Sequence, residues 1–117
     1  MKKYDKYIKY WRRRIEQSEK EDKTALTEAK NWAEKCALTL GKKYSVRKVY
    51  LFGSLVDGSF KQGSDIDLAV EGLKPKDYFK ALVELFRISN GFKIDLIPLE
   101  NSPYKTEVIA TGKLLYG

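Results

Sequence analysis

The sequence contains no histidine and one cysteine, Cys36, among its 117 residues. The absence of histidine excludes Ser-His-Asp and Cys-His triads, histidine-ligated zinc and histidine acid–base catalysis. A single cysteine can form neither an intrachain disulfide nor a thiolate zinc cluster, and it gives no reason to expect an oxidising compartment. Any catalysis must therefore rely on carboxylates, lysines, hydroxyl groups or hard metal ions.

Long apolar runs are also missing from the sequence. No stretch approaches the roughly 20 apolar residues that span a bilayer, and the start Met1–Lys3 is not followed by an apolar segment. We therefore expect a cytoplasmic protein without membrane association. The length is sufficient for one domain with a hydrophobic core, but not for two independent cores.

Positive charge is unevenly distributed along the chain, whose formal net charge is +7. Residues 1–48 contain fifteen basic and seven acidic residues, whereas residues 49–117 contain eight basic and nine acidic ones. We therefore predict a basic helical extension over residues 1–45 and a near-neutral core over residues 46–117, within one compact domain. The basic extension makes nucleic acid a candidate partner.

The N-terminal third has the periodicity of helices. Apolar residues recur at helical spacing from Tyr4 to Ile15, and again from Ala25 to Leu40. The polar stretch Ser18–Lys23 between them suggests a break, and Gly41 suggests a C-terminal stop. The pattern predicts two helices.

Strand patterns begin after Tyr44. The segments Val46–Phe52, Ile66–Val70 and Lys93–Leu99 are rich in apolar and β-branched residues and predict three strands. A helix is expected from Pro75, and a short last helix over Pro103–Thr111. The predicted fold class is α/β (α+β): a small mixed sheet with helices packed on one face, preceded by the two N-terminal helices.

Three aspartates stand within the predicted strands or directly before one. Asp65 and Asp67 are two residues apart, so their side chains share one face of a strand, and Asp95 repeats the pattern in a later strand. Carboxylates on one face repel each other unless a cation lies between them, and Mg²⁺ favours carboxylates together with substrate phosphates. If the two strands are neighbours, the three carboxylates form a site for two metal ions.

A Gly-Ser pair directly follows the first predicted strand. Gly53 allows the backbone to approach a phosphate, and the N–H groups of the turn, together with the Ser54 hydroxyl, are suitable phosphate donors. We also place Ser64, which precedes Asp65, among the nucleotide-binding residues. Phosphate donors and metal-binding carboxylates together point to a nucleoside triphosphate with magnesium.

These motifs resemble a known superfamily. A Gly-Ser pair, ten residues, Asp-x-Asp and a later strand aspartate are similar to the DNA polymerase β-type nucleotidyltransferases. The stretches Ser64–Leu73 and Ile109–Gly117 resemble the minimal nucleotidyltransferase (MNT) antitoxins, which act on HEPN ribonuclease toxins. The resemblance covers about Val46 to Gly117 and leaves out the basic N-terminal helices.

The resemblance implies a function and a role for each residue. Gly53 and Ser54 would bind the triphosphate of ATP, and Asp65 and Asp67 would bind both Mg²⁺ ions. Asp95 would bind one ion and help to deprotonate the acceptor hydroxyl. The implied reaction transfers AMP to a hydroxyl of a partner protein, a tyrosine of a HEPN toxin, with release of pyrophosphate.

One position departs from the pattern of the superfamily. Many relatives carry an arginine shortly after Gly-Ser, where this chain has Asp57, and Lys61 is a candidate substitute for the missing triphosphate contact. Two alternatives to the implied reaction stay open. The missing arginine leaves a non-catalytic antitoxin that blocks its toxin sterically, and the basic N-terminal helices leave a nucleotidyltransferase directed at RNA.

Overall fold

The computed structural model describes residues 4–117, and the start Met1–Lys3 lies outside the described residues. It contains four helices and four strands within these residues, with a short 3-10 turn at Pro75–Asp77. In chain order they are α1 (Asp5–Tyr44), β1 (Lys48–Phe52), α2 (Ser54–Asp57), β2 (Ile66–Glu71), α3 (Tyr78–Ile88), β3 (Ile94–Pro98), α4 (Lys105–Thr111) and β4 (Lys113–Tyr116).

The two predicted N-terminal helices are one continuous helix of 40 residues, so the predicted break at Ser18–Lys23 is wrong. That stretch is polar, but it contains neither glycine nor proline, and its Glu and Lys residues favour helix. The Thr24 hydroxyl also donates to the carbonyl of Lys20, which satisfies it within the helix. Polarity alone therefore marks an exposed helix face and not an end.

The predicted stop at Gly41 is wrong by one turn, since α1 continues to Tyr44 and ends at Ser45 in a left-handed conformation. Gly41 is buried inside the helix for a packing reason. A Cβ atom there would lie 2.1 Å from the Cζ of the Tyr116 ring, so only glycine lets the ring lie against the helix. The glycine signals close packing between helix and sheet.

The four strands form a mixed sheet in the order β3-β2-β1-β4. The pairs β1/β2 and β1/β4 are antiparallel, and β2/β3 is parallel. The mixed α+β architecture predicted from the sequence is confirmed. The fourth strand was not predicted, because the four residues Lys113–Tyr116 are too few to show a strand period.

Helices α1 and α3 pack on one face of the sheet. Their buried residues join those of the strands in the main core, including Ala33, Cys36, Leu40, Leu68, Leu85 and Leu96. A second, smaller cluster of Tyr50, Ala69, Leu99 and Val108 places α4 with the alternate side chains of β1 and β2. The predicted packing of helices on one face therefore holds for α1 and α3, whereas α4 covers part of the other. The central strands are apolar at successive positions because both of their faces are covered.

The first half of α1 extends beyond this core. The first buried residue of the helix is Ala29, and side chains before it are largely exposed. Trp11, in the apolar stripe that begins at Tyr4, is 46% exposed. The predicted boundary at residue 45 lies at the end of a helix whose last turns belong to the core.

No helix within residues 4–117 has the length and apolar character of a bilayer span.

Candidate active site

The turn between β1 and α2 is built on Gly53. Its φ is +76°, a conformation that favours glycine, and a Cβ atom there would lie 2.2 Å from Oδ2 of Asp67. The N–H groups of Val56 and Asp57 both donate to the Gly53 carbonyl at 3.0 Å, which starts α2 directly after the strand. Gly53 therefore brings the backbone of this turn against the carboxylate of Asp67.

The sheet register places the aspartates together. Phe52, the residue before Gly53, pairs with Asp67 across β1/β2, and Asp67 pairs with Asp95 across β2/β3. Asp65 precedes β2 by one residue and lies two residues before Asp67, the spacing of a common face. The glycine turn and the predicted metal-binding residues thus lie along one end of the sheet.

Asp67 has a perturbed carboxyl group. Its pKa is raised from 3.8 to about 6, chiefly by partial burial and then by the nearby charges of Asp95 and Asp65. Within residues 4–117, none of the three carboxylates has a hydrogen bond or an ion pair with another side chain. The site therefore carries negative charge that no side chain of the described chain compensates.

This donor set suits a hard divalent cation. The ligands are carboxylate oxygens, which Mg²⁺ prefers, and the cation would relieve the repulsion between Asp67 and Asp95. In the described part of the chain, however, no group of three His, Cys, Asp or Glu side chains is close enough to hold a metal by itself. The arrangement is an open site, which suits a metal whose coordination is completed by substrate phosphates and water.

The two predicted serines lie in different surroundings. Ser54 is the first residue of α2, and its hydroxyl has no hydrogen bond within residues 4–117, so it is available to a ligand of the glycine turn. The Ser64 hydroxyl accepts the N–H of Lys61 at 3.1 Å. Ser64 lines a separate depression with Glu28 of α1, and the structure does not bring its side chain to the turn. The role of Ser64 stays a prediction.

Asp57 has a local structural use. Its Oδ1 accepts the Ser59 N–H at 2.8 Å and the Ser59 hydroxyl at 2.5 Å, and these bonds lower its pKa. The carboxylate therefore closes the turn after α2. The acid at position 57 therefore shapes this loop and adds no positive charge to it.

Two neighbouring cavities lie beside the sheet, and neither was predicted from the sequence; only the smaller one reaches the glycine turn. The smaller, of about 440 Å³, is lined by residues that include Phe52, Gly53, Ile97, Tyr104 and Val108. The larger, of about 890 Å³, shares Ile97 and Tyr104 with it. Ile97 follows Asp95 by two residues on β3, so it lies on the carboxylate side of that strand.

Comparison with known proteins agrees with this geometry. Residues 34–117, most of the chain, match the family described as "Polymerase beta, Nucleotidyltransferase". The chain belongs to this nucleotidyltransferase family. The match contains the glycine turn and all three aspartates, and it begins within α1, so residues 1–33 lie outside it.

Relatives of this nucleotidyltransferase include a Methanocaldococcus jannaschii protein named "Putative protein adenylyltransferase". The two are 35% identical over 74 residues, which are 62% of this chain and 86% of the relative. A crystal structure of a toxin–antitoxin with AMP-PNP is similar, with a TM-score of 0.60, 26% identity and coverage of 72% of this chain and 73% of that one.

A crystal structure of the MntA-HepT toxin–antitoxin is similar in fold. Its TM-score is 0.52 at 24% identity, with coverage of 73% of this chain and 70% of that one. The predicted family and the predicted enzyme class are both confirmed.

Proposed function

We propose that this nucleotidyltransferase transfers AMP from ATP to a hydroxyl group of a partner protein, and that it acts as the antitoxin of a toxin–antitoxin pair. The acceptor we propose is a tyrosine of a HEPN ribonuclease toxin in the cytoplasm. The observation that carries the proposal is the pairing of Asp67 with Asp95 beside the Gly53 turn. It combines a metal-binding carboxylate pair with a backbone that can approach a phosphate.

The roles of the residues follow from their positions. Asp65, Asp67 and Asp95 would hold two Mg²⁺ ions, which supply charge neutralisation of the triphosphate. The N–H groups at the start of α2 and the Ser54 hydroxyl would orient the β- and γ-phosphates. Lys61 is exposed on the following loop and is the candidate for the missing cationic contact.

The reaction then needs one proton acceptor. The acceptor oxygen forms a bond to the α-phosphorus, and the bond from that phosphorus to the bridging oxygen breaks, so pyrophosphate leaves. Asp95 is exposed at the sheet edge and would receive the hydroxyl proton. Positioning and electrostatics supply most of the rate in such a transfer.

Two similarities support the antitoxin role. One relative carries the name of a protein adenylyltransferase, and two solved structures with this fold are toxin–antitoxin structures, one of them with AMP-PNP. The AMP-PNP structure also supports ATP as the nucleotide. The exposed N-terminal half of α1 is outside the family match, and we propose that it is an appendage to the catalytic core.

The experiment is incubation of the protein with its cognate toxin, ATP and Mg²⁺, followed by intact-mass measurement of the toxin. We expect AMP-sized mass increments with the wild type and none with Asp67→Asn. Asp77→Asn is the control, since Asp77 lies near Tyr44 of α1 and away from the glycine turn. Unmodified toxin in the presence of wild-type protein would reject the proposal.

A non-catalytic antitoxin is the second candidate, favoured by the acid at position 57 and by the absence of a closed three-ligand metal group among residues 4–117. It predicts that Asp67→Asn still neutralises the toxin through a stable complex. The catalytic proposal predicts that neutralisation is lost together with the mass increments.

An RNA acceptor is the third candidate. Lys9, Arg12 and Arg13 of α1 are exposed and form no ion pair within residues 4–117. This candidate predicts RNA binding that weakens steeply with salt and that is lost when Arg12 and Arg13 are both replaced by glutamate.

A further inference from the structure

The larger of the two cavities is an open groove with a rigid apolar wall. All three prolines of the chain, Pro75, Pro98 and Pro103, line it. Its side also includes Tyr78 and Phe79, whose rings meet edge-on with their centroids 5.3 Å apart. Proline has a fixed φ and the rings support each other, so the groove has a shape that needs little ordering before it binds a ligand.

Large apolar side chains remain uncovered in this groove. Phe79 is 76% exposed and Tyr104 is 60% exposed. Burial of a phenylalanine side chain contributes about 1.5–3 kcal/mol, so these two rings are a strong apolar attachment point.

The groove meets the smaller cavity, which reaches the glycine turn of the candidate active site. Ile97 and Tyr104 line both the groove and the smaller cavity, which has Gly53 in its wall. Ile97 is two residues from Asp95 on the same face of β3, a separation of about 7 Å. Most of the groove lies beyond the C-terminal ends of β2 and β3, so a bound segment that extends past Ile97 would bring one of its side chains towards the carboxylates.

The groove is unsuitable for the nucleotide itself. No lysine or arginine lies among the described residues that line it, and Glu100 stands at its rim. A triphosphate or a nucleic acid backbone would find no positive charge there. The smaller cavity adjoins the glycine turn and is closer to the place of the phosphates.

The polar groups at the rim leave one free amide. The Ser102 hydroxyl accepts the Tyr104 N–H at 3.1 Å, and Glu100 accepts the Gly72 N–H. The Asn101 side chain has no hydrogen bond within residues 4–117 and is available to the backbone of a bound segment. The Tyr78 hydroxyl donates to the Leu96 carbonyl at 2.7 Å, so this part of the β3 edge is not free to pair with a new strand.

We propose that the groove binds the acceptor segment of the partner protein: a chain segment with apolar or aromatic residues on either side of the tyrosine that receives AMP. This inference rests on the proposed function. Phe79 anchors an apolar side chain of the segment, and Tyr104 and Ile97 direct the acceptor side chain towards Asp95. The groove therefore determines which hydroxyl of the partner reaches the transfer site.

The first test is binding without ATP, so that it is independent of catalysis. The probe is a fluorescently labelled peptide of about nine residues with leucine and phenylalanine around a tyrosine, measured by fluorescence anisotropy. We expect Phe79→Ala to weaken binding about tenfold, equal to about 1.4 kcal/mol. Phe86→Ala is the control, because Phe86 is 57% exposed on the same helix and does not line the groove.

Several outcomes of this binding test would overturn the groove assignment. In the first, the wild type and Phe79→Ala bind the peptide equally well. In the second, Phe79→Ala and Phe86→Ala weaken binding to the same extent. In the third, a peptide with serine and glycine around the tyrosine binds the wild type as tightly as the apolar peptide. Both phenylalanines are exposed, so both variants are expected to fold, and thermal unfolding verifies it.

The second test separates the groove from the transfer chemistry. With the toxin as acceptor, Phe79→Ala should raise KM for the toxin about tenfold and leave kcat and the KM for ATP unchanged. An unchanged KM for the toxin would overturn the groove assignment and leave the transfer reaction standing. Absence of any AMP transfer by the wild type would reject the proposed function, and the peptide measurement would then decide whether the groove binds apolar segments.

Discussion

Asp67 of β2 lies directly opposite Asp95 of β3 in the parallel part of the sheet, and the charge of Asp95 helps to raise the pKa of Asp67 to about 6. Neighbouring strands therefore hold two like charges opposite each other that no side chain of residues 4–117 neutralises. Such an arrangement costs folding free energy, and a functional site explains why the fold keeps it.

Asp67→Asn should stabilise the protein at neutral pH without divalent cations. The folded-state pKa of Asp67 lies above its unfolded value, so the free energy of unfolding falls as pH rises from about 4 to about 6. Solvent screens this half-exposed group, so the expected gain is at most about 1 kcal/mol. Thermal unfolding at pH 5 and pH 7.5 measures it, and the variant should lack the decline between these values that Asp67 causes. A less stable variant at pH 7.5 would contradict the electrostatic account.

Mg²⁺ should raise the thermal unfolding temperature of the wild type and have a much smaller effect on Asp67→Asn. A cation bound to the folded state stabilises it, and removal of one carboxylate weakens that binding. Differential scanning fluorimetry in a MgCl₂ series measures the difference, with Asp77→Asn as the control. An equal shift for Asp67→Asn and the wild type would show that Mg²⁺ binds elsewhere.

Gly53→Ala should destabilise the protein and abolish AMP transfer. The new methyl group meets Oδ2 of Asp67 at 2.2 Å, and φ of +76° adds backbone strain. We expect a loss of about 2–4 kcal/mol from strain and clash together. Gly63→Ala is the matched control, because Gly63 has φ of +85° and nothing within 4 Å of the added Cβ, so it reports strain alone at about 1 kcal/mol. Equal losses in the two variants, measured by chemical denaturation, would refute the close approach of Gly53 to Asp67.

Deletion of residues 1–18 should leave the stability of the core unchanged. The first buried residue of α1 is Ala29, and the contacts of the helix with the loop at Gln62 involve Glu21 and Asp22, which the deletion retains. Ala33→Leu is the comparison, because a larger side chain at this fully buried position should cost about 1–3 kcal/mol. A large loss of stability on deletion would mean that the exposed stripe packs against the core.

The candidate site was largely predictable from the sequence because its signals are local. Asp65 and Asp67 share a face because side chains alternate along a strand, and Gly53 indicates a turn whose backbone conformation favours glycine. The pairing of Asp67 with Asp95 could be predicted only on the condition that their strands are neighbours, because the sequence does not show the strand order. The cavities were not predictable, because Phe79, Ile97 and Tyr104 come from separate elements that only the fold brings together.

The errors in the fold predicted from the sequence also have physical causes. The stretch Ser18–Lys23 is polar because the helix there is exposed, not because the helix ends. Gly41 has the residue type of a helix stop, but it serves the contact with Tyr116, which lies 75 positions further along the chain. Strand β4 is too short for a periodic pattern and is formed by pairing with β1.

The most direct test of AMP transfer uses ATP that is radioactively labelled at either the α- or the γ-phosphate. The protein is incubated with its cognate toxin and Mg²⁺, and the toxin is separated on a denaturing gel. The account predicts label on the toxin from α-labelled ATP only, with Asp67→Asn giving none and Asp77→Asn giving the wild-type amount. Label from γ-labelled ATP, or no label from either nucleotide, would contradict it.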